Sequence, residues 1–282
     1  MTSQLKTALL LGLLTGLLML IGGAMGGRGG LVIAFVLAMA MNLGSYWYSD
    51  RIVLSMYRAR LLGPGDAPGL YAMLQELSAN AGIPVPRLAL IPQQAPNAFA
   101  TGRNPDNAVV AVTEGLMRLL TPEEIKGVLA HELGHIANRD ILIQSVAGVL
   151  AGVIMYTASM IKWATLFGLG GRSDEEGGNP IAALALAFIA PVAAMLIQMA
   201  ISRSREYLAD ASGARYSGAP GQLASALGKI AGYAEQAPMQ GGNEATAHMF
   251  IINPFMGGAA KWFSTHPPVE DRIRRLAELE RG

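Results

Sequence analysis

Cysteine is absent from the 282 residues. That excludes disulfides, thiol nucleophiles and thiolate metal sites, and it agrees with a reducing compartment. Charge is scarce too: Asp, Glu, Lys and Arg make up 15% of the chain, against about a quarter in an ordinary soluble protein. With 21 basic and 20 acidic residues there is no excess of either sign, and no nucleic-acid partner is expected. Histidine occurs only at positions 131, 135, 248 and 266, so any imidazole site draws on these. No internal repeat is visible. What the chain has in abundance is apolar sequence, 52% hydrophobic residues together with 34 glycines, and part of it is expected to lie in lipid.

Thr7 to Gly27 carries no charge and is long enough to cross about 30 Å of hydrocarbon as a helix; Leu31 to Tyr48 is a second such run, closing on the interfacial aromatics Tyr46, Trp47 and Tyr48. Only Arg28 and glycines separate the two, which predicts a tight helical hairpin; Gly12/Gly16 and Gly23/Gly27 have the spacing for close approach, although in so Gly-rich a stretch chance spacing is the default reading. The first run is too long for a signal-peptide core and lacks a good cleavage site, so it reads as a retained span. Ile141 to Gly171 and Pro180 to Ile201 are two further candidates, making four transmembrane helices; their bland alternative is a buried hairpin in a globular core. Lys6, Arg51, Arg58, Arg60, Lys126, Arg139, Arg203 and Arg205 fall on one side of these spans and the acidic loop 172–176 on the other. The positive-inside rule then puts both termini and the polar sequence in the cytoplasm. The expected organisation is a transmembrane hairpin over 1–50, a polar domain begun over 51–140, a second hairpin over 141–202, and the rest of the polar domain over 203–282.

The chemistry is concentrated at His131-Glu132-Leu133-Gly134-His135. On a helix, residues four apart share a face, so both imidazoles can ligate one ion, while Glu132 is rotated by about 100° and can hold a water beside it. The pattern alone would arise by chance in about one chain in a hundred of this length. Its setting makes it more specific. Thr121 reads as an N-cap, Pro122 as the first helical residue and Glu124 as the return arm of a capping box. Ile125, Val128, Leu129, Leu133 and Ile136 then recur at helical spacing.

A catalytic zinc has three protein ligands and one open position. Glu206 is the best third donor, and Asp210, one turn further on, is placed to accept the outer N–H of a ligating imidazole. On spacing alone, a solvated helix with acids at i and i+4 fits Glu206 and Asp210 equally well. Topology supplies a separate argument: the histidines precede the third predicted span and Glu206 follows the fourth, so a membrane hairpin would return it to their side, just outside the bilayer.

The polar sequence reads as α+β. A helix is expected over Asp66 to Ala81 through Leu70, Met73, Leu74 and Leu77, strands over Arg87 to Ile91 and Ala108 to Thr113, and a hairpin turn at 103–107 after Asn97 to Gly102. Helices over Pro220 to Glu235 and Pro267 to Arg281 complete it, while Gln236 to Ser264 has no clear period.

Asn97-Ala98-Phe99-Ala100, the His131 motif, Glu206-x-x-x-Asp210 and Thr265-His266-Pro267-Pro268 together resemble the M48 family of membrane zinc endopeptidases, in the right order and over essentially the whole chain. The resemblance implies a gluzincin-like metalloprotease domain with one zinc on His131, His135 and Glu206, and Asp210 supporting a histidine. It implies an inner-membrane protein acting from the cytosolic side on misfolded or damaged membrane proteins. It further implies Glu132 and His266 as catalytic residues, Arg272 as a stabiliser of the oxyanion or a structural ion pair, and Asn97, Ala98, Phe99 and Ala100 as an edge strand that binds extended peptides. For His266 the plain alternative is a local hydrogen bond before a helix start, and for Phe99 a core side chain. Two rival functions remain: a non-catalytic membrane scaffold with structural zinc, and a protease cutting within the bilayer. The first favours four closed ligands. The second would need the acidic motif after the histidines, whereas Asn104-Pro105-Asp106 comes before them and reads as a turn.

Overall fold

The computed structural model describes residues 3–147, 149, 203–236, 250–252 and 267–281. It opens with α1, Ser3–Met56, a helical segment broken at Gly26 and Gly27, where φ/ψ leave the helix at −133/17 and 56/−136. Gly27 takes a positive φ that L side chains resist. The two arms fold back on each other. A Cβ on Gly22 would lie 2.5 Å from Ala34 Cβ, one on Gly30 would strike the Gly22 carbonyl, and Asn42 Nδ2 donates to Thr15 Oγ1 at 2.9 Å.

The expected N-terminal hairpin is therefore present, with a correction to its packing. Gly22 and Gly30 make the close approach, whereas a Cβ on Gly12, Gly16 or Gly27 would meet nothing within 4 Å. The second arm also continues past Tyr48 to Met56, because Val53 and Leu54 are buried against the sheet described next. Among the described residues one helix, Gly26–Met56, is long and apolar enough to cross a membrane. Of the third and fourth expected spans, only 141–147 and 149 fall within the described residues, and these are helical.

The polar domain is built on a four-stranded sheet in the order β1-β2-β4-β3, with β1 at Arg60–Leu62, β2 at Arg87–Ile91, β3 at Ala98–Thr101 and β4 at Val109–Thr113. β2 and β4 are parallel, and the two outer pairings are antiparallel. Period-two alternation sorts their side chains. Leu88, Ala98, Ala100, Val110 and Val112 face the main core, while Ala89, Ile91, Phe99, Val109 and Ala111 face a smaller cluster with Val53, Tyr57 and Phe250. Both faces of β4 are thus covered, which is why it reads as a continuous apolar run rather than an alternating one. β1 is too short to show a period in the sequence and was not expected.

Helices cover the main face. α2, Pro68–Ala81, buries Leu70, Leu74 and Leu77, with Met73 half-buried at the rim, and ends at Gly82 in the left-handed conformation. α3, Glu114–Leu119, is a short unpredicted helix whose N-cap hydroxyl, Thr113 Oγ1, accepts from Leu116 N at 3.1 Å and from Asn97 N at 2.9 Å. One threonine thereby joins the start of β3 to the end of β4. α4, Pro122–Ala137, packs under the sheet and is enclosed by α5, Arg203–Ser217, and α6, Pro220–Gln236; α7, Val269–Arg281, closes the far side against α6.

Candidate active site

α4 starts where its sequence says it should. Thr121 Oγ1 accepts from Glu124 N at 3.4 Å and Glu124 Oε2 accepts from Thr121 N at 2.9 Å, closing the capping box. Ser225 and Lys229 of α6 also donate to the Glu124 carboxylate, at 2.7 and 2.9 Å, so the cap doubles as a tertiary clamp. Glu124 is buried, and although burial alone would raise its pKa, these partners lower it.

α4 and α5 approach through two glycines. A Cβ on Gly134 would lie 2.9 Å from the Ala209 carbonyl oxygen, and one on Gly213 would lie 2.8 Å from His131 N. No larger residue fits at either crossing without moving a backbone. That contact brings Glu206 and Asp210 of α5 against the histidine face of α4. His131 Nε2 and His135 Nε2 are 3.2 Å apart, with Glu206 Oε2 3.8 Å from the first and Glu206 Oε1 3.5 Å from the second. These residues form a buried group whose ligand atoms all lie within 4.8 Å of one another. Tetrahedral ligands about 2.1 Å from a zinc ion sit about 3.4 Å apart, so the donor set fits such an ion in both spacing and chemistry.

Each histidine has an acid behind it. His131 Nδ1 is 2.9 Å from Asp210 Oδ1, which leaves Nε2 to face the other donors. His135 Nδ1 is 3.6 Å from Asp140 Oδ2, and Asp140 in turn lies 3.7 Å from Arg205 Nη1. Burial would lower the His135 pKa, but the Glu206, Asp140 and Glu132 carboxylates outweigh it and lift it to about 9. Asp140 was missed in the sequence, where it follows the motif by five residues in what reads simply as a helix end.

Glu132 is buried beside the histidines and accepts from the backbone N–H of Ala100. Burial dominates and raises its pKa, so it holds a proton more tightly than an exposed glutamate. The strand that supplies this N–H is β3, an edge of the sheet. Thr113 N donates to Asn97 O, so the odd residues of β3 point their backbone groups at β4 while Ala98 and Ala100 point theirs outward. Asn97, Ala98, Phe99 and Ala100 are nonetheless buried as side chains. Phe99 packs 5.3 Å from the Tyr57 ring, and Asn97 Oδ1 accepts from Ile251 N at 3.1 Å.

Arg272 of α7 is wholly buried, at 0% exposure. Its Nε and Nη2 donate to the two oxygens of Asp210 at 2.8 and 2.7 Å, and its Nη1 donates to the Ile251 carbonyl at 2.9 Å. The guanidinium outweighs the burial of Asp210 and holds its carboxyl down at about 2. Arg272 is thus the far end of a line running Arg272, Asp210, His131. His266 and His248 lie outside the described residues. Asn104-Pro105-Asp106 sits in a single 3-10 turn, Pro105–Asn107, capped by the Asn104 side chain.

The profile of peptidase family M48 matches residues 64–280. The chain belongs to that family. It is 58% identical over 283 residues to a protein from Syntrophobacter fumaroxidans described as "Protease HtpX homolog", covering 99% of this chain and all of that one. A protein of the same description from Pyrococcus furiosus is 54% identical over 275 residues, covering 97% and 95%. Among solved structures, the crystal structure of S. mikatae Ste24p superposes with a TM-score of 0.53 at 20% identity, covering 97% of this chain and 64% of that one; at that identity the likeness is one of fold. The chain is accordingly a metallopeptidase, a hydrolase of peptide bonds, in a family of membrane proteases.

Proposed function

We propose that this M48 peptidase is a zinc-dependent endopeptidase that sits in the bacterial inner membrane and cleaves misfolded or damaged membrane proteins from the cytosolic side. His131, His135 and Glu206 would hold one Zn2+ per chain. The observation that carries the reading is the buried trio of donors with an acid beside it that is not itself a donor. A closed structural site needs four ligands and no neighbouring free acid.

When bound, zinc supplies Lewis acidity that lowers the pKa of water and polarises the scissile carbonyl. Glu132 takes the proton of the attacking water, and its raised pKa suits it to hold that proton and pass it on to the leaving nitrogen. Asp210 and Asp140 orient the two imidazoles from behind. His266, with Arg272 as the alternative, would stabilise the developing oxyanion; Arg272 commits three of its five N–H donors to Asp210 and Ile251 and sets Nη1 3.6 Å from Glu206 Oε2, which favours a structural part for that arginine.

The substrate would add to β3 as an extended strand, using the outward backbone groups of Ala98 and the carbonyl of Ala100, whose N–H is held by Glu132. Such main-chain recognition accepts many sequences, which suits unfolded or misassembled chains. The fold would be completed by four membrane helices with a gluzincin-like domain and both termini in the cytoplasm, supported by the placement of basic residues around the apolar runs.

The deciding experiment is Glu132→Gln in the full chain. It should retain zinc at wild-type stoichiometry by metal analysis while casein cleavage falls by about 10²–10⁴-fold, and a chelator should abolish cleavage by the wild type. A variant that still cuts removes Glu132 from the chemistry; loss of zinc along with activity would make it structural.

A further inference from the structure

A cavity of about 340 Å3, lined by both polar and apolar side chains, lies away from the histidines. Tyr46, Arg103, Asn104 and Arg139 line its polar part, and Ala8, Leu11 and Leu142 its apolar part. The apolar wall comes from the first arm of α1 and from the start of the third apolar run, so the cavity opens beside the predicted spans. Tyr46 belongs to the aromatic belt, which marks the headgroup level. Two cations therefore face one cavity at that level, and no Asp or Glu is among its described lining residues.

Arg103 is held through its side chain and Arg139 through its backbone. Arg103 stacks its guanidinium 4.6 Å from the Trp47 ring and donates to Asn107 Oδ1 at 3.3 Å. Gly102, just before it, is fixed by a bond from its N–H to Ser145 Oγ at 3.1 Å. Arg139 occupies the position after α4 where glycine is the usual residue: its φ is 58°, its N–H reaches Ile136 O at 3.1 Å, and Asp140 N reaches His135 O at 2.9 Å. That pair of bonds is a Schellman motif, and an arginine in its left-handed position accepts backbone strain that glycine avoids. Neither arginine has a carboxylate partner among the described residues, whereas Asp140 next door turns inward to His135 and Arg205. The guanidinium fork matches phosphate oxygens in geometry as well as charge.

We infer that this cavity is a binding site for the phosphate headgroup of an anionic membrane phospholipid, seated between Arg103 and Arg139 with its acyl chains along Leu11 and Leu142. The lipid would pin the first arm of α1 to the turn at 103–104 and to the end of the catalytic helix. A free phosphate would satisfy the arginines but not the apolar wall, so the lipid is the better occupant.

The test uses the full chain purified in neutral detergent, titrated with phosphatidylglycerol, phosphatidylcholine or inorganic phosphate, and read by thermal unfolding and by native mass spectrometry of retained lipid. Phosphatidylglycerol should raise the midpoint and be retained, with phosphatidylcholine and phosphate giving little. Arg103→Gln combined with Arg139→Gly should weaken phosphatidylglycerol binding by about tenfold or more, taking about fivefold per basic side chain at an anionic surface. Arg139→Gly alone should keep or raise the lipid-free midpoint while losing part of the lipid effect, which separates binding from folding. Arg51→Gln, just beyond the same aromatic belt, should leave the effect intact. An equal loss in Arg51→Gln, a phosphatidylcholine effect as large as that of phosphatidylglycerol, or an equal response to inorganic phosphate would each overturn the inference.

Discussion

The helix pair α4/α5 and the N-terminal hairpin are built inside out relative to each other. In the pair, His131, Glu132, His135, Glu206 and Asp210 are buried, each within a few ångströms of an opposite or complementary group. In the hairpin, Val32, Ile33, Val36 and Leu37 are 58–62% exposed, and the polar pair Thr15 and Asn42 meets between the arms. An aqueous fold hides apolar groups because water expels them, and it tolerates buried charge only where partners replace hydration. A surface of exposed valine and leucine has the reverse requirement and is at home in hydrocarbon. One chain thus carries two solvents' worth of rules.

If that contrast is right, removing a polar partner should cost much more in the domain than in the hairpin. Arg272→Met should show the largest effect, about 3–5 kcal/mol in the unfolding free energy measured by urea in detergent, since it strands the buried Asp210 carboxylate. Adding Asp210→Asn should recover part of the loss, because the stranded charge goes with it. Additive losses would mean that the pair is not coupled.

Gly213→Ala comes next, at about 1–3 kcal/mol and toward the upper end, because its Cβ would press on the backbone of His131. The same change at Gly12 or Gly16, where a Cβ meets nothing within 4 Å, should leave the midpoint within error. Zinc content should fall only in the first. Equal behaviour at Gly213 and Gly12 would sink the argument that glycine sets the approach of α4 to α5.

Acid should expose the same pair. The Asp210 carboxyl is held at about 2, below its ordinary 3.8, so its contribution is present above pH 3.8 and lost as pH falls through 2. That is about 2 kcal/mol, read as the difference in unfolding free energy between wild type and Asp210→Asn from pH 5 down to pH 2. A difference that stays constant across the window would remove the assigned role of the ion pair.

Local pattern carried the parts of this architecture that are local. The capping box of Thr121 and Glu124, the His131 and His135 spacing on one helix, β2 and the turn within 103–107 follow from neighbours in sequence, and the structure has these elements there; the Glu206 and Asp210 spacing alone left a solvated helix equally open. What pattern could not carry is packing between distant segments. Arg272 lies 62 residues from Asp210, and nothing around it announces a buried bidentate bond. Gly213 reads as an ordinary helix glycine until α4 is laid against it. Asp140 looked like part of a helix end. β1 and α3 are shorter than the period that would reveal them. In the hairpin, the spacings Gly12/Gly16 and Gly23/Gly27 are no better than chance in so Gly-rich a stretch, and the reversal at Gly26 and Gly27 brings Gly22 and Gly30 together instead.

The smallest expected effect is the most informative about the hairpin. Asn42 donates to Thr15 Oγ1 at 2.9 Å, and Thr15 itself donates back to Leu11 O at 2.8 Å, so Asn42→Leu leaves no orphaned hydroxyl hydrogen behind. In lipid the separated arms can find other partners, and such interhelical bonds are worth about 0.6–1 kcal/mol. Asn42→Leu should lower stability by about that much, Thr15→Val by a similar amount, and the double variant by no more than either alone. Reconstitution in bilayers and unfolding by denaturant would measure it. A loss approaching that of Arg272→Met would mean that the hairpin is held by the rules of the aqueous domain, and that its exposed valines and leucines are covered by protein rather than by lipid.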